Sequence, residues 1–74
     1  NLTIYPNPTN GNTLYFNLTK DITIRMYNVL GKLIKTNKIN SKNNKMDIST
    51  LPKGIYLLKI NSENQFITKK IIKN

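Results

Sequence analysis

Ile22-Thr23-Ile24-Arg25-Met26-Tyr27-Asn28-Val29-Leu30-Gly31 is the stretch that decides the fold. Ile22, Ile24 and Met26 alternate with Thr23, Arg25 and Tyr27. Successive residues of a strand point to opposite faces of a sheet, so this spacing puts three apolar side chains on one face. A helix would instead need apolar residues three and four apart, and no window of eleven residues in the chain shows a convincing stripe of that kind. The run then meets Asn28-Val29-Leu30-Gly31, which reads as a turn closing on glycine. A half-buried strand followed by a tight turn is the unit from which the rest follows.

The same unit repeats in both directions. Leu2 and Ile4 share a face, as do Leu14, Phe16 and Leu18, then Met46 and Ile48, then Tyr56, Leu58 and Ile60. Pro6 and Pro8 push Tyr5 and Asn7 toward extended backbone and remove two amide donors. Asn10-Gly11 suits a turn with positive φ. Asn43-Asn44 marks another turn, and Ser62-Glu63-Asn64 a polar hairpin tip. In Leu51-Pro52-Lys53-Gly54, Pro52 fits the first central position of a type I turn and Gly54 the last. These signals predict about seven antiparallel strands near 2–5, 13–18, 22–28, 32–39, 45–49, 54–61 and 65–73. Turns every 8–12 residues point to an all-β, Ig-like β-sandwich of two sheets. The alternation fails at Leu33-Ile34 and Ile71-Ile72, where a bulge or a strand covered on both faces is expected. Lys35, Lys38, Lys69, Lys70 and Lys73 are placed to guard sheet edges.

Composition narrows the function. Seventy-four residues form one domain at most. With no cysteine there is no disulfide, and the redox compartment stays open. The net charge of +9 points to anionic partners. However, Asn, Lys and Ile supply 35 of the 74 residues, and AT-rich codons favour all three. Eleven of the twelve cations are Lys, with Arg25 the exception, so much of the charge reads as compositional drift. The longest apolar runs, Ile55-Tyr56-Leu57-Leu58 and Ile71-Ile72, fall far short of the ~20 residues a membrane span needs. The N-terminal residues show no basic stretch leading into an apolar core, so an export signal is expected upstream, and the chain reads as a piece of a longer one.

Catalytic chemistry is poorly supplied. With no His and no Cys, the commonest general base, the thiol nucleophile and the usual zinc ligands are missing. Asp21, Asp47 and Glu63 lie in separate segments, and Gly11, Gly31 and Gly54 are isolated rather than grouped in a phosphate loop. Asn7 to Asn12 is rich in oxygen but has no carboxylate, which argues against a tight calcium site. No enzyme, no cofactor and no metal are expected.

Four pieces in order resemble a known family. Tyr5-Pro6-Asn7-Pro8 followed by Asn10-Gly11 resembles the opening of the type A C-terminal sorting domain of the type IX secretion system. Gly31-Lys32 then follows the third strand. Asp47-Ile48-Ser49-Thr50-Leu51-Pro52-Lys53-Gly54-Ile55-Tyr56 is similar to the family's central block, and Lys69-Lys70-Ile71-Ile72-Lys73 to its close. The resemblance implies an Ig-like sandwich at the C-terminus of a protein from a Bacteroidetes-type bacterium. It implies that the parent crosses the inner membrane by a separate signal, and that this domain directs passage through the outer membrane to the cell surface or exterior. The implied partners are the translocon, a shuttle, a sortase-like peptidase that removes the domain, and the parent domain upstream. The cut is expected ahead of Asn1, and the parent is often joined to an anionic lipopolysaccharide.

The candidate recognition residues are Pro6, Asn7, Pro8, Gly31, Lys32, Gly54, Tyr56, Lys69 and Lys70. Each has a plainer structural reading. The Pro6-Asn7-Pro8 segment fixes where the first strand ends, the two glycines meet the needs of turns, and Tyr56 alternates into the core. Lys69 and Lys70 are adjacent, so they point to opposite faces of their sheet, and one of them can lay its stem along the core edge. Two other classes compete. A nucleic-acid module would interleave basic residues with exposed aromatics, and an accessory sandwich binding sugar or an anionic polymer would gather aromatics on one concave face. Only weak, salt-sensitive, sequence-independent nucleic-acid binding is expected from charge alone.

Overall fold

The computed structural model describes residues 2–74 and contains seven strands. They are β1 (Thr3–Tyr5), β2 (Thr13–Asn17), β3 (Ile22–Asn28), β4 (Leu33–Ile39), β5 (Lys45–Asp47), β6 (Gly54–Ser62) and β7 (Gln65–Lys73). One sheet has the order β1-β2-β5 and the other β4-β3-β6-β7, with every strand pair antiparallel. The two sheets form a β-sandwich, because each carries one apolar face that must be covered. Leu14 and Phe16 on β2 and Met46 on β5 meet Ile22, Ile24 and Met26 on β3, together with Tyr56, Leu58 and Ile60 on β6. Leu18, Ile39, Ile48 and Ile71 complete the buried set.

Local chemistry accounts for the places where pattern and structure part. β5 stops at Asp47, two residues before the expected end, because the Asp47 carboxylate accepts the Ser49 N–H at 2.9 Å and turns the chain. Ile48 still reaches the core, and its N–H donates to the Asn12 carbonyl at 2.8 Å. At Leu33-Ile34 the break is a bulge: Met26 pairs with Lys35 and Tyr27 with Leu33, so Ile34 is the extra residue and packs against the core. Ile71-Ile72 is not a bulge. These two pair in unbroken register with Tyr56 and Ile55, Ile71 facing the core and Ile72 the outer surface.

Two tight hairpins set the sheet ends. Gly31, at φ 85°, ends the β3–β4 turn, and its N–H donates to the Asn28 carbonyl. The Asn28 side-chain oxygen accepts the N–H groups of Leu30 and Lys32, both at 3.0 Å. The β6–β7 hairpin turns on Glu63 and Asn64, with Glu63 at φ 57° and paired to Lys20 at 2.9 Å. The expected positive φ at Gly11 is absent. The Gly11 N–H instead donates to the Thr9 hydroxyl, a local bond that turns the backbone without the left-handed region.

Candidate recognition surface

Pro6, Asn7 and Pro8 leave β1 and cross to the outer edge of β7. Both peptide bonds into these prolines are cis. The Asn7 amide then behaves as a short substitute for a strand. Its Nδ2 donates to the Lys70 carbonyl at 2.9 Å, and its Oδ1 accepts the Ile72 N–H at 3.1 Å. Thr9, fully buried, continues the pairing: its N–H donates to the Ile72 carbonyl and its carbonyl accepts the Asn74 N–H, both at 2.8 Å. The first motif of the chain therefore clamps the last strand. It covers the edge of β7 from the Lys70 carbonyl to Asn74.

The central block is fastened to the same end. The Tyr56 ring is buried near the start of β6, and its hydroxyl donates to the Pro52 carbonyl four residues upstream. A tyrosine placed at the crossover between the two sheets and bonded back in this way is the tyrosine corner of Ig-like sandwiches. Gly54 lies at φ 154° with no heavy atom within 4 Å of where a Cβ would stand, so backbone conformation selects glycine there and close packing does not. Gly54 pairs with Lys73, whose ammonium donates to the Ile48 carbonyl at 2.6 Å and the Leu51 carbonyl at 2.8 Å. Lys73 is thus an anchor that its place in a lysine-rich tail concealed. Lys35 makes a similar bond from β4 to the Asp47 carbonyl on the opposite sheet. Bonds from the Ser49 N–H and hydroxyl, with Lys35 and Lys73 nearby, hold the Asp47 carboxyl below its ordinary range against the opposing effect of burial.

The other candidates lie apart. Gly31 and Lys32 form the β3–β4 hairpin tip, where Lys32 acts through its backbone, its carbonyl accepting the Asn28 N–H at 3.0 Å. Lys69 pairs with Leu58 on the inward side of β7, and Lys70 pairs with Leu57 on the outer side. Both are exposed. The Lys69 stem borders a groove between β1 and β7 that is also lined by Leu2, Ile4 and Ile71. The aromatics are scattered. Tyr5 stacks on Tyr15 with centroids 5.7 Å apart, while Lys59 sits 5.1 Å from the Tyr27 ring on the other sheet. The described residues thus present no single aromatic face for bases or sugars. Among them no three His, Cys, Asp or Glu side chains group as a metal site, and no helix is long and apolar enough to cross a membrane.

Four-on-three sheets, a tyrosine corner and a clamped terminal strand define an Ig-like β-sandwich module, in which the opening, central and closing motifs meet at one end. The model of the secretion system C-terminal sorting domain matches residues 3–74, and the chain belongs to that family. It is a sorting signal for type IX secretion, and the family marks proteins exported through the outer membrane. The family is one of signals and is not known for enzymatic activity. No curated protein matches the chain.

Proposed function

We propose that this chain is the C-terminal module of a larger exported protein, and that the type IX machinery reads it as a folded domain through β7. The observation that supports this reading is the clamp. Asn7 and Thr9 hold the terminal strand as the outer strand of a sheet, so the end of the chain is displayed in a fixed geometry. Lys69 and Lys70 stand exposed on opposite faces of that strand, and neither ammonium bonds to a described residue. A translocon and its shuttle would meet these charges first. A sortase-like peptidase would then cut ahead of β1, since residues 3–5 are paired to β2 and a paired strand does not enter a protease cleft. The proposed route runs from the periplasm through the outer membrane to the cell surface or exterior.

The test is a periplasm-targeted reporter fused ahead of the domain, in a host with type IX machinery. Lys69→Gln combined with Lys70→Gln removes two charges from exposed positions and should leave the melting temperature unchanged. The fusion is expected to stay in the periplasm. Normal export of a folded double variant would show that these lysines only guard the edge. Deleting residues 69–73 would not answer the question, because it removes buried Ile71 and the Lys73 anchor.

A further inference from the structure

The clamp covers only part of the β7 edge. In an antiparallel ladder, residues alternate between pairs that exchange hydrogen bonds and pairs whose N–H and C=O groups point away from the partner strand. Ile72 points away from β6, as its bonds to Asn7 and Thr9 show. By the same period, Phe66, Thr68 and Lys70 also point outward. Asn7 uses the Lys70 carbonyl. Among the described residues no backbone group pairs with the outward groups of Phe66 and Thr68 or with the Lys70 N–H. An open row of this kind is a template for another strand.

A second feature lies beneath that row. Between the β2–β3 connection and β7 lies a groove of about 330 Å³ whose walls include Leu2, Leu18, Ile22, Ile60 and Ile67. It continues past Lys69 into the smaller hollow beside Ile4 and Ile71. Ile67 faces this groove yet is 39% exposed, and Phe66, on the outer side, is 77% exposed. A strand added along Phe66 to Lys70 would place every second side chain over the groove. It would cover apolar surface that the sandwich leaves open.

Charge selects the occupant. Lys69 flanks the groove side and Lys70 the outer side, within a chain of net charge +9. A second copy of this chain would bring the same charges to the same edge. We propose that the β7 edge from Phe66 to Lys70 accepts, as a fifth strand, an extended segment of another protein that alternates apolar with acidic residues. Main-chain bonds supply affinity in such strand addition, and the alternating side chains supply selectivity. The proposal rests on the sorting reading and names how the machinery would grip the domain.

Thr68→Pro tests it. Proline removes the outward N–H of Thr68 and leaves the ladder to β6, which Thr68 does not bond, while Thr68→Val keeps the N–H. The probe is a capped heptapeptide of alternating valine and glutamate, titrated into the labelled domain and followed by amide shifts. Shifts at Phe66, Thr68 and Lys70, an affinity about tenfold weaker in Thr68→Pro, and weakening by salt are expected. No binding at millimolar peptide, or equal binding by the proline variant, overturns the proposal. Concentration-dependent self-association through this edge overturns the choice of occupant. If the proline variant melts early, Lys70→Glu replaces it, with the same loss of peptide binding expected. In the export assay, the folded proline variant should be retained and the valine variant exported, and export of both refutes strand addition. Retention of the unmodified fusion would instead refute the sorting reading, and the peptide titration then decides the strand proposal alone.

Discussion

Asn7→Ala removes the clamp at its centre. The substitution deletes the bond from Nδ2 to the Lys70 carbonyl and the bond from the Ile72 N–H to Oδ1. A typical intramolecular hydrogen bond contributes about 0.5–1.5 kcal/mol net, and water reaches this exposed edge, so the pair is worth roughly 1–2 kcal/mol. At ~2.1 cal/mol/K per residue, unfolding 74 residues carries about 155 cal/mol/K near the midpoint. The melting temperature should therefore fall by about 6–13 °C. Circular dichroism reads the melt, and amide exchange at Ile72 localises the loss. The Ile72 amide should exchange faster, while Leu58 and Ile60 in the core keep the protection set by global unfolding. Asn7→Asp is the control of matched shape. It keeps the acceptor for Ile72 but turns an oxygen toward the Lys70 carbonyl, so it should be no more stable than the alanine variant. An aspartate variant that melts with the wild type, or an unchanged Ile72 exchange rate in Asn7→Ala, would refute the clamp.

Other perturbations probe the same end of the sandwich. Tyr56→Phe keeps the buried ring and loses only the bond to the Pro52 carbonyl, so it should cost about 1 kcal/mol, and an unchanged melt would argue against the tyrosine corner. Gly54→Ala and Gly54→Val should each cost about 1–3 kcal/mol and resemble each other, since the space for a Cβ is empty and the backbone alone resists; a much larger loss in the valine variant would show that packing matters there. The depressed Asp47 pKa stabilises the fold above the unfolded-state value, and this contribution disappears as pH falls through the folded-state value. Asp47→Asn should therefore be less stable than wild type near neutral pH, with the gap closing in acid; denaturant midpoints showing a constant gap would contradict this.

How much of this was legible follows from which atoms do the work. Strands whose apolar residues alternate, as at Ile22, Ile24 and Met26, announce themselves, because one face is dry and the other wet. The break at Leu33-Ile34 was visible as a break, but its nature depends on the pairing of Met26 with Lys35 across the hairpin. The clamp was not legible. Asn7 and Lys70 lie 63 positions apart, and the groups joined to the Asn7 side chain are backbone atoms that every residue possesses. Tyr56 was legible as a core ring, while the partner of its hydroxyl is again a carbonyl. Gly11 misled because Asn-Gly signals a left-handed turn chiefly in two-residue hairpins, whereas here the segment runs from the β7 edge back to β2. Lys73 looked like its lysine neighbours, since nothing local tells an anchored ammonium from a solvated one.

The central claim is that this folded domain is an export address. The most direct measurement is the partition of a reporter fused ahead of residues 1–74, in a type IX host and in the same host lacking the translocon. Reporter is expected outside the outer membrane in the first strain and held in the periplasm in the second. Retention in both strains, or release from both, would contradict it.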